Sequence, residues 1–277
     1  MTLLLFSADA VLPVLTVSSA TLLLAAATTA GCGAPPGDAG RADPTGAAAS
    51  GADPTDASPP AYGYGEANGP AQWASLSEEY ALCDSGEAQS PIDVPADAEP
   101  SDRLGPLQTD YSASPAQADP SQLVTHVDLE AGGTLTFQGT SYELVQFHFH
   151  TPSEHTIGGR SFAAEAHLVH ESEGGELAVI GVMVEEGAEN AALEEVLSGA
   201  VQRGDGAPFD PARLLPEEQA YYTYTGSLTT PPCSEGVRWV LMQEPIAASP
   251  AQLDRFKGEQ TNRPVQPLNG RAVAASE

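Results

Sequence analysis

Hydrophobic and polar residues alternate over short stretches in most of the chain beyond residue 130, which is the spacing of β-strands. Residues 134–137 and 142–150 form two such stretches, and Gly139 between them is suited to a turn. Further stretches of strand spacing cover residues 162–170, 177–184 and 237–242. Helical spacing occurs only over residues 190–201 and 250–256. The pattern therefore predicts a mainly β, mostly antiparallel fold with a few short helices.

The N-terminal part of the chain lacks this pattern and divides into two segments. Residues 1–32 contain an apolar run that ends in small residues before Cys32, as a bacterial lipoprotein signal does. No Lys or Arg precedes the apolar run, so the true start codon stays open. Residues 33–60 are almost entirely Ala, Gly, Asp, Pro, Ser and Thr, which predicts a disordered tether. We therefore expect an exported envelope lipoprotein, periplasmic or extracellular, with Cys32 lipidated and one folded domain over residues 61–277.

Charge narrows the range of partners. Asp and Glu number 38 against 10 Lys and Arg, for a formal net charge of -28. A chain this acidic is a poor ligand for nucleic acid or anionic lipid, so membrane contact is expected only through a lipid on Cys32. The acidity suits a surface adapted to concentrated salt. The simpler alternative is an acidic disordered tail, although most of the acidic residues lie past residue 60.

One predicted strand places two histidines on the same face. Side chains alternate between the two faces of a β-strand, so His148 and His150 point the same way, together with Gln146. The intervening residues, Val145, Phe147 and Phe149, are predicted to point into an apolar layer. Two histidines in this arrangement can bind one metal ion.

The next predicted strand carries a third histidine with an acidic neighbour. Glu165 and His167 share one face, and hairpin-type pairing of the two strands would bring His167 beside the first two histidines. Three neutral imidazoles with one open position form a catalytic zinc site, whereas structural zinc sites are closed by four protein ligands. A single histidine on a strand is more often a surface or hydrogen-bonded residue. Five of the six histidines, however, lie between His148 and His170, so metal binding is the favoured interpretation.

Several motifs together resemble those of the alpha-class carbonic anhydrase family. They are QFHFH at 146–150, SEHT at 153–156, AAEAHLVH at 163–170, LTTPPC at 228–233 followed by Trp239, YGY at 62–64, NGP at 68–70, Trp73, QSP at 89–91 and NRP at 262–264. The motifs keep the family's order, and the resemblance spans about residues 61–271. It implies a central, twisted, mostly antiparallel ten-stranded sheet, with zinc at the bottom of a conical cleft. The implied reaction is the reversible hydration of carbon dioxide to bicarbonate and a proton, by attack of zinc-bound hydroxide.

The resemblance also implies the zinc ligands and the groups that orient them. The ligands of Zn2+, the implied cofactor, would be His148, His150 and His167. Gln146 would orient His148 through its side chain, and Glu165 would orient His167 in the same way. The backbone carbonyl of Asn262 would orient His150. A hydrogen bond to the second ring nitrogen of a histidine fixes which nitrogen is free to bind metal.

Catalytic and substrate roles are implied in the same way. Thr229 would accept a hydrogen bond from the zinc hydroxide and donate its own proton to Glu154. Thr230 and Tyr64 would help to order water in the cleft. Carbon dioxide would lie against an apolar wall formed by Val169, Val179, Leu228 and Trp239.

The chain contains three cysteines, an odd number that needs an explanation in an exported protein. By the same resemblance, Cys83 and Cys233 would form the disulfide of bacterial and extracellular family members, which leaves Cys32 for the lipid. Three unrelated thiols are the alternative, favoured only if the chain stays in a reducing compartment.

The chain departs from the family at the histidine that carries protons out of the cleft. Counting back from residues 134–136 places Leu123 at that position, and the nearest histidine is His126. His126 either takes over the transfer or is a surface residue, and both alternatives stay open. The functional alternative to catalysis is a non-catalytic zinc-binding or adhesion domain on the same fold. Relatives of that kind usually lack a zinc ligand, whereas all three are present here.

Overall fold

The computed structural model describes residues 61–119, 121–198, 208–256 and 260–277. The predicted signal segment, the predicted tether and Cys32 lie outside these residues, so the expectations for them stay predictions. Within the described ranges, no helix has both the length and the apolar character that crossing a membrane requires.

Most of the regular structure is β. The strands are β1 Asp93–Val94, β2 Glu99–Pro100, β3 Gln108–Tyr111, β4 Ser114–Ala118, β5 Thr125–Leu129, β6 Gly133–Phe137, β7 Thr140–His150, β8 Thr156–Ile157, β9 Ala164–Ser172, β10 Leu177–Glu186, β11 Pro208–Phe209, β12 Tyr221–Ser227, β13 Glu235–Met242, β14 Ile246–Ala248 and β15 Ala274–Ala275. The helices are α1 Trp73–Leu76, α2 Leu82–Ser85, α3 Ala191–Leu197 and α4 Pro250–Leu253, with 3-10 turns at Glu78–Tyr80 and Pro211–Leu214.

One large sheet contains all of these strands except β1 and β8, which pair with each other. Ten strands follow one path in the order β11, β4, β5, β7, β9, β10, β13, β12, β15 and β2. Strands β3, β6 and β14 pair beside this path, so the sheet has thirteen strands among the described residues. Parallel pairing occurs at β10–β13, β10–β14 and β15–β2, and the other neighbours are antiparallel. The predicted mainly β, mostly antiparallel fold with a few short helices is confirmed.

The register of the central strands separates the face that packs on the main core from the face that carries the histidines. On the core face, Phe147, Leu168, Ile180 and Val240 are aligned across β7, β9, β10 and β13, and all four are fully buried. One residue further along, His148 lies opposite His167 on the other face, which we call the histidine face. Apolar side chains on these four strands therefore hold the sheet against the main core. The same strands are free to present polar groups on the histidine face.

A β-bulge in β7 corrects one prediction. Strict alternation placed Val145 in the apolar layer, but its side chain is exposed and Leu144 is buried instead. The register of β7 against β9 shifts between Leu144 and Gln146, so Val145 is the extra residue. A bulge reverses the parity of the strand beyond it. As a result Leu144 and Phe147 both face the core, although they are three residues apart.

A disulfide and a buried arginine join the N-terminal described segment to later parts of the chain. Cys83 and Cys233 form a disulfide across a separation of 150 residues, as the resemblance implied. The fully buried Arg263 donates to the backbone carbonyls of Cys83 and Ser90, at 2.6 and 2.7 Å, and packs over the Trp73 ring. Closing a loop of this length removes conformational entropy from the unfolded chain, on the order of several kcal/mol.

Candidate metal centre

The three predicted histidine ligands converge on the histidine face. His148 and His150 lie on β7, and His167 lies on β9 directly opposite His148. Each histidine contributes one ring nitrogen to a group whose ligand atoms all lie within 4.8 Å of one another. His150 and His167 are almost completely buried. The arrangement has the three-imidazole composition of a catalytic zinc site.

Two of the histidines are oriented by the side chains that the sequence predicted. His148 Nδ1 donates to Gln146 Oε1 at 2.9 Å, and His167 Nε2 donates to Glu165 Oε1 at 2.9 Å. These bonds leave His148 Nε2 and His167 Nδ1 with their lone pairs free, only 3.3 Å apart. Outer hydrogen bonds of this kind select the nitrogen that binds a metal ion.

The third histidine is oriented by a different residue from the one expected. His150 Nδ1 donates to the backbone carbonyl of Thr261, and not to that of Asn262, so the expectation was wrong by one position. The segment around Thr261 is irregular, and the Thr261 N–H also bonds the Thr151 carbonyl, which fixes its register against the end of β7. On the other side of the ring, His150 Nε2 is buried without a hydrogen-bond partner among the described residues. An orphaned buried nitrogen aimed at two other free imidazole nitrogens fits a metal ion.

Burial lowers the pKa values of His148 and His150. Desolvation, together with the neighbouring His150 and His167, lowers the pKa of His148 well below its usual value. Desolvation also lowers the pKa of His150 to about 4. At neutral pH both rings therefore offer a lone pair, which metal coordination requires.

Glu154 and Thr229 lie together next to the histidines. The Thr229 side chain hydrogen bonds to the Glu154 carboxyl group, and both residues are buried. Glu154 Oε1 also accepts from the backbone N–H of Arg263 at 2.8 Å, while Oε2 lies 3.5 Å from His150 Nε2. Burial raises the pKa of Glu154 to about 7. A divalent cation held by the histidines would favour the ionised carboxylate, because an opposite charge lowers an acid's pKa.

The predicted apolar wall is assembled by register. Val169, Val179 and Trp239 are aligned across β9, β10 and β13, two residue pairs further along than His167 and on the same face of the sheet. Leu228 packs on the same cluster of buried residues. The Trp239 ring approaches the His167 ring edge-on, with 4.9 Å between centroids. An apolar surface therefore directly adjoins the metal-binding nitrogens.

The remaining predicted residues surround this centre. Thr230 follows Thr229 and its carbonyl accepts from the Cys233 N–H, which closes the turn after β12. Tyr64 packs against Trp73 and, together with the half-exposed Leu123, lines a cavity of about 450 Å³. Burial, and next the charge of Glu154, raises the pKa of Tyr64.

His126 lies nearer to the histidines than its sequence position suggested. It stands opposite His148 on the neighbouring strand β5, and the two rings stack with 5.9 Å between centroids. Its Nε2 atom lies 3.0 Å from Asp128 Oδ1, and only 14% of its side chain is exposed.

Three further residues of the site were not predicted as such. His155, Tyr224 and Ser90 form a buried hydrogen-bonded chain that ends on Glu165. His155 was visible in the sequence only as a member of the SEHT motif, and Tyr224 lies in a strand that carries two other tyrosines. The connection is made by residues up to 134 positions apart, so no local pattern reveals it.

The fold and this site define a class: a protein built on one large, mostly antiparallel sheet, with three histidines placed so that they could hold a metal ion. The sequence model of the eukaryotic-type carbonic anhydrase family matches residues 68–277. A carbonic anhydrase of Klebsiella pneumoniae is 40% identical over 222 residues, which cover 76% of this chain and 89% of the relative. The chain belongs to the eukaryotic-type, or alpha-class, carbonic anhydrase family, and it is a carbonic anhydrase, a lyase that acts on carbon dioxide and bicarbonate.

Solved structures with similar folds include an alpha-class carbonic anhydrase. The alpha-carbonic anhydrase of Thermovibrio ammonificans, in complex with the inhibitor sulfanilamide, has a TM-score of 0.73 and 43% identity, covering 77% of this chain and 98% of that chain. Dioscorin complexed with ascorbate has a TM-score of 0.71 and 33% identity, covering 78% of this chain and 98% of that chain. Alpha-class carbonic anhydrases depend on zinc in general, and the three histidines here form a group that could hold such an ion.

Proposed function

We propose that this chain hydrates carbon dioxide with one zinc ion held by His148, His150 and His167. The convergence of three individually oriented imidazoles, one of them with an orphaned buried nitrogen, carries the proposal. When bound, zinc supplies a Lewis acid that lowers the pKa of a coordinated water and makes a nucleophile available at neutral pH. The net reaction converts carbon dioxide and water into bicarbonate and one proton, and it is reversible.

Thr229 and Glu154 orient the nucleophile in this proposal. The Glu154 carboxylate can only accept, so the Thr229 hydroxyl donates a hydrogen bond to it. The Thr229 oxygen is then left to accept a hydrogen bond from the attacking group. The Arg263 N–H holds the carboxyl group in place. Fixing one hydrogen bond fixes the direction of the attacking lone pair, which lowers the entropic part of the barrier.

The substrate is placed by shape and polarity. Carbon dioxide carries no charge, and Val169, Val179, Leu228 and Trp239 present an apolar surface beside the His167 ring. Thr230 and Tyr64 would help to order water in the cleft. A non-catalytic binding domain would need neither this wall nor the Thr229–Glu154 pair, so the alternative function is not favoured.

We infer in addition that the chain is exported. The Cys83–Cys233 disulfide is compatible with an oxidising compartment, and so is the similarity to bacterial carbonic anhydrases. The apolar segment before Cys32 supports a lipoprotein signal, with Cys32 as the lipid-bearing residue.

Two substitutions test the division of roles. His148→Ala is expected to abolish both zinc binding and carbon dioxide hydration, because a metal ligand is removed. Thr229→Ala is expected to keep one zinc per chain and lose about a hundredfold in kcat/KM, because only an orienting hydrogen bond is lost. Zinc content by elemental analysis and stopped-flow hydration rates measure both effects.

Thr225→Ala is the matched control for Thr229→Ala. Thr225 lies four residues earlier, and its hydroxyl accepts from the exposed Arg238 outside the site. The control should behave as the wild type. Full zinc occupancy in His148→Ala would remove the ligand assignment, and zinc loss in Thr229→Ala would contradict the role given to Thr229.

A further inference from the structure

A continuous chain of buried hydrogen bonds begins at Glu165, the residue that orients His167. His155 Nδ1 lies 2.7 Å from Glu165 Oε1, and the Tyr224 hydroxyl lies 2.7 Å from His155 Nε2. The Tyr224 hydroxyl lies 2.7 Å from Ser90 Oγ, and the Ser227 N–H donates to Ser90 Oγ at 3.0 Å. Every residue of the chain is buried.

Each proton in this chain has one consistent position. The Glu165 carboxylate can only accept, so His155 donates from Nδ1, and its Nε2 atom is placed to accept from the Tyr224 hydroxyl. Tyr224 must then donate to His155, and its oxygen accepts from the Ser90 hydroxyl. Ser90 Oγ in turn accepts from the Ser227 N–H. A chain with a single donor direction holds each side chain in one orientation.

Two glycines make room for these contacts. A Cβ atom at Gly181 would lie 3.0 Å from Glu165 Oε1 and 2.6 Å from Leu241 Cδ2. A Cβ atom at Gly226 would overlap Ser90 Oγ and approach the Tyr224 ring. The backbone can approach this closely only where the side chain is absent. The absence of a side chain at Gly181 and Gly226 therefore leaves space for the Glu165 and Ser90 side chains in this hydrogen-bonded chain.

The two ends of the chain reach both halves of the active site. At one end, Glu165 Oε1 holds His167, while Oε2 accepts from the backbone N–H groups of Glu154 and His155 at 2.9 and 2.8 Å. At the other end, the Ser227 hydroxyl accepts from the Ser90 N–H and donates to the Leu228 carbonyl. Thr229 follows Leu228 in the amino-acid sequence.

The geometry points to Tyr224 and His155 as positioning residues that hold the metal ligand His167 and the Thr229–Glu154 pair in one fixed arrangement. This inference rests on the proposed zinc-dependent function. Tyr224 does not touch the metal-binding nitrogens; it acts by fixing the His155 ring, which fixes the Glu165 carboxylate. Removing the Tyr224 hydroxyl leaves His155 Nε2 buried without a donor, and the ring is then free to turn away from Glu165.

Tyr224→Phe tests this role, because it deletes one hydroxyl and keeps the ring that packs on Trp239. We expect zinc to leave the variant about tenfold faster than the wild type in the presence of a chelator, by analogy with the loss of other outer hydrogen bonds to metal ligands. We also expect a changed visible absorption spectrum when Co2+ replaces zinc. A loss of stability alone would leave the ligand geometry of the folded molecules, and hence that spectrum, unchanged.

Tyr222→Phe is the matched control, since Tyr222 lies two residues away on the same face of β12 and packs on the same apolar cluster. Its zinc release should stay within twofold of the wild type. Ser90→Ala is a second variant, which removes the donor to Tyr224 and also the acceptor of the Ser227 N–H. Ser90→Ala replaces Tyr224→Phe as the test if Tyr224→Phe does not fold. We expect it to release zinc about threefold faster than the wild type.

The outcomes separate this inference from the proposed function. A wild-type protein that binds no zinc and does not hydrate carbon dioxide would contradict the proposed function itself. An active, zinc-loaded wild type, together with folded Tyr224→Phe and Ser90→Ala variants that match it in zinc release and in the Co2+ spectrum, would overturn only the positioning role.

Discussion

At the residue scale, Glu154 shows how one buried group can depend on the occupancy of its site. Burial raises its pKa to about 7, although the Arg263 N–H and the Thr229 hydroxyl both favour the charged form. Without a cation beside it, the carboxyl group is therefore close to half protonated at neutral pH. A bound divalent ion would shift it to the carboxylate that accepts from Thr229. In the proposed mechanism, metal binding and orientation of the nucleophile would thus be linked through a single proton.

His126 is the residue for which the structure changes the sequence argument most. Leu123, at the position expected for proton transfer, has an apolar side chain, whereas His126 stacks on His148. We expect His126→Ala to lower the maximal turnover several-fold and to leave kcat/KM within twofold of the wild type. The reason is that proton transfer out of the site limits turnover but not the carbon dioxide step. Stopped-flow hydration at low buffer concentration measures both constants.

Imidazole in solution provides the control for this prediction. It should restore much of the turnover of His126→Ala, because a soluble base replaces the missing one. If turnover is insensitive to the substitution while that of the wild type depends strongly on buffer concentration, protons leave directly to buffer and His126 is not involved.

At the element scale, strand β9 carries two histidines with opposite surroundings. His167 lies on the histidine face, whereas His170 faces the core, where its ring stacks on Tyr111 and its Nε2 atom bonds the Tyr111 hydroxyl. His170 Nδ1 donates to the Ala178 carbonyl at 3.2 Å. One strand thus supplies a metal ligand and a neutral, fully satisfied core residue.

The stability of the fold should depend on pH through His170. Burial lowers its pKa to about 4, compared with a usual value near 6.5. Between these values the unfolded chain binds a proton that the folded chain does not, so lowering the pH favours unfolding. We expect the wild type to lose about 1.4 kcal/mol per pH unit more than His170→Gln between pH 6.5 and 4. Urea unfolding at a series of pH values measures the difference.

The remaining titrating groups are common to both proteins, so they cancel in this comparison. The two proteins should have the same pH dependence of the free energy of unfolding above pH 6.5, where the His170 ring is neutral in both the folded and the unfolded state. If plots of the free energy of unfolding against pH were parallel for the two proteins from pH 4 upward, His170 would titrate in the folded state as it does in the unfolded one.

Strand spacing and the resemblance together predicted the fold class and the convergence of His148, His150 and His167. They failed where the chain leaves regular geometry. The Val145 bulge changes which residues face the core, and nothing in the alternation of β7 marks the extra residue. The carbonyl that orients His150 belongs to Thr261, in an irregular segment without periodicity. The contact between Tyr224 and Ser90 depends on tertiary packing alone.

At the scale of the whole molecule, the excess of acidic residues is the dominant electrostatic feature. Glu143 and Glu171 lie directly opposite each other on β7 and β9, both exposed, in a hollow that Glu173 and Glu176 also line. Like charges in cross-strand positions destabilise a sheet. Salt weakens this repulsion, because the screening length falls from about 10 Å at 0.1 M to about 3 Å at 1 M.

We therefore expect the melting temperature to rise by several degrees between 0.05 and 1 M sodium chloride. Glu143→Gln should raise the melting temperature at low salt and reduce its response to salt, because it removes one member of the repelling pair. Differential scanning calorimetry across a salt series measures both effects.

Glu185→Gln is the matched control, because Glu185 pairs with Arg160 at 2.6 Å and has an attractive partner to lose. It should not raise the melting temperature at low salt. A melting temperature that falls steadily with added salt in the wild type would rule out repulsion as the dominant surface effect.

The C-terminal segment completes the active site, and this bears on how the protein is made. The Thr261 carbonyl orients His150, the Arg263 N–H holds Glu154, and the Arg263 guanidinium anchors the backbone of Cys83, 180 residues earlier. A ribosome synthesises these residues well after the three histidines. The three histidines therefore emerge well before the groups that orient them, and a nascent chain has imidazoles but no organised site. In the proposed zinc-bound form, native ligand geometry therefore requires that Thr261 and Arg263 have already been synthesised, whatever compartment the chain folds in.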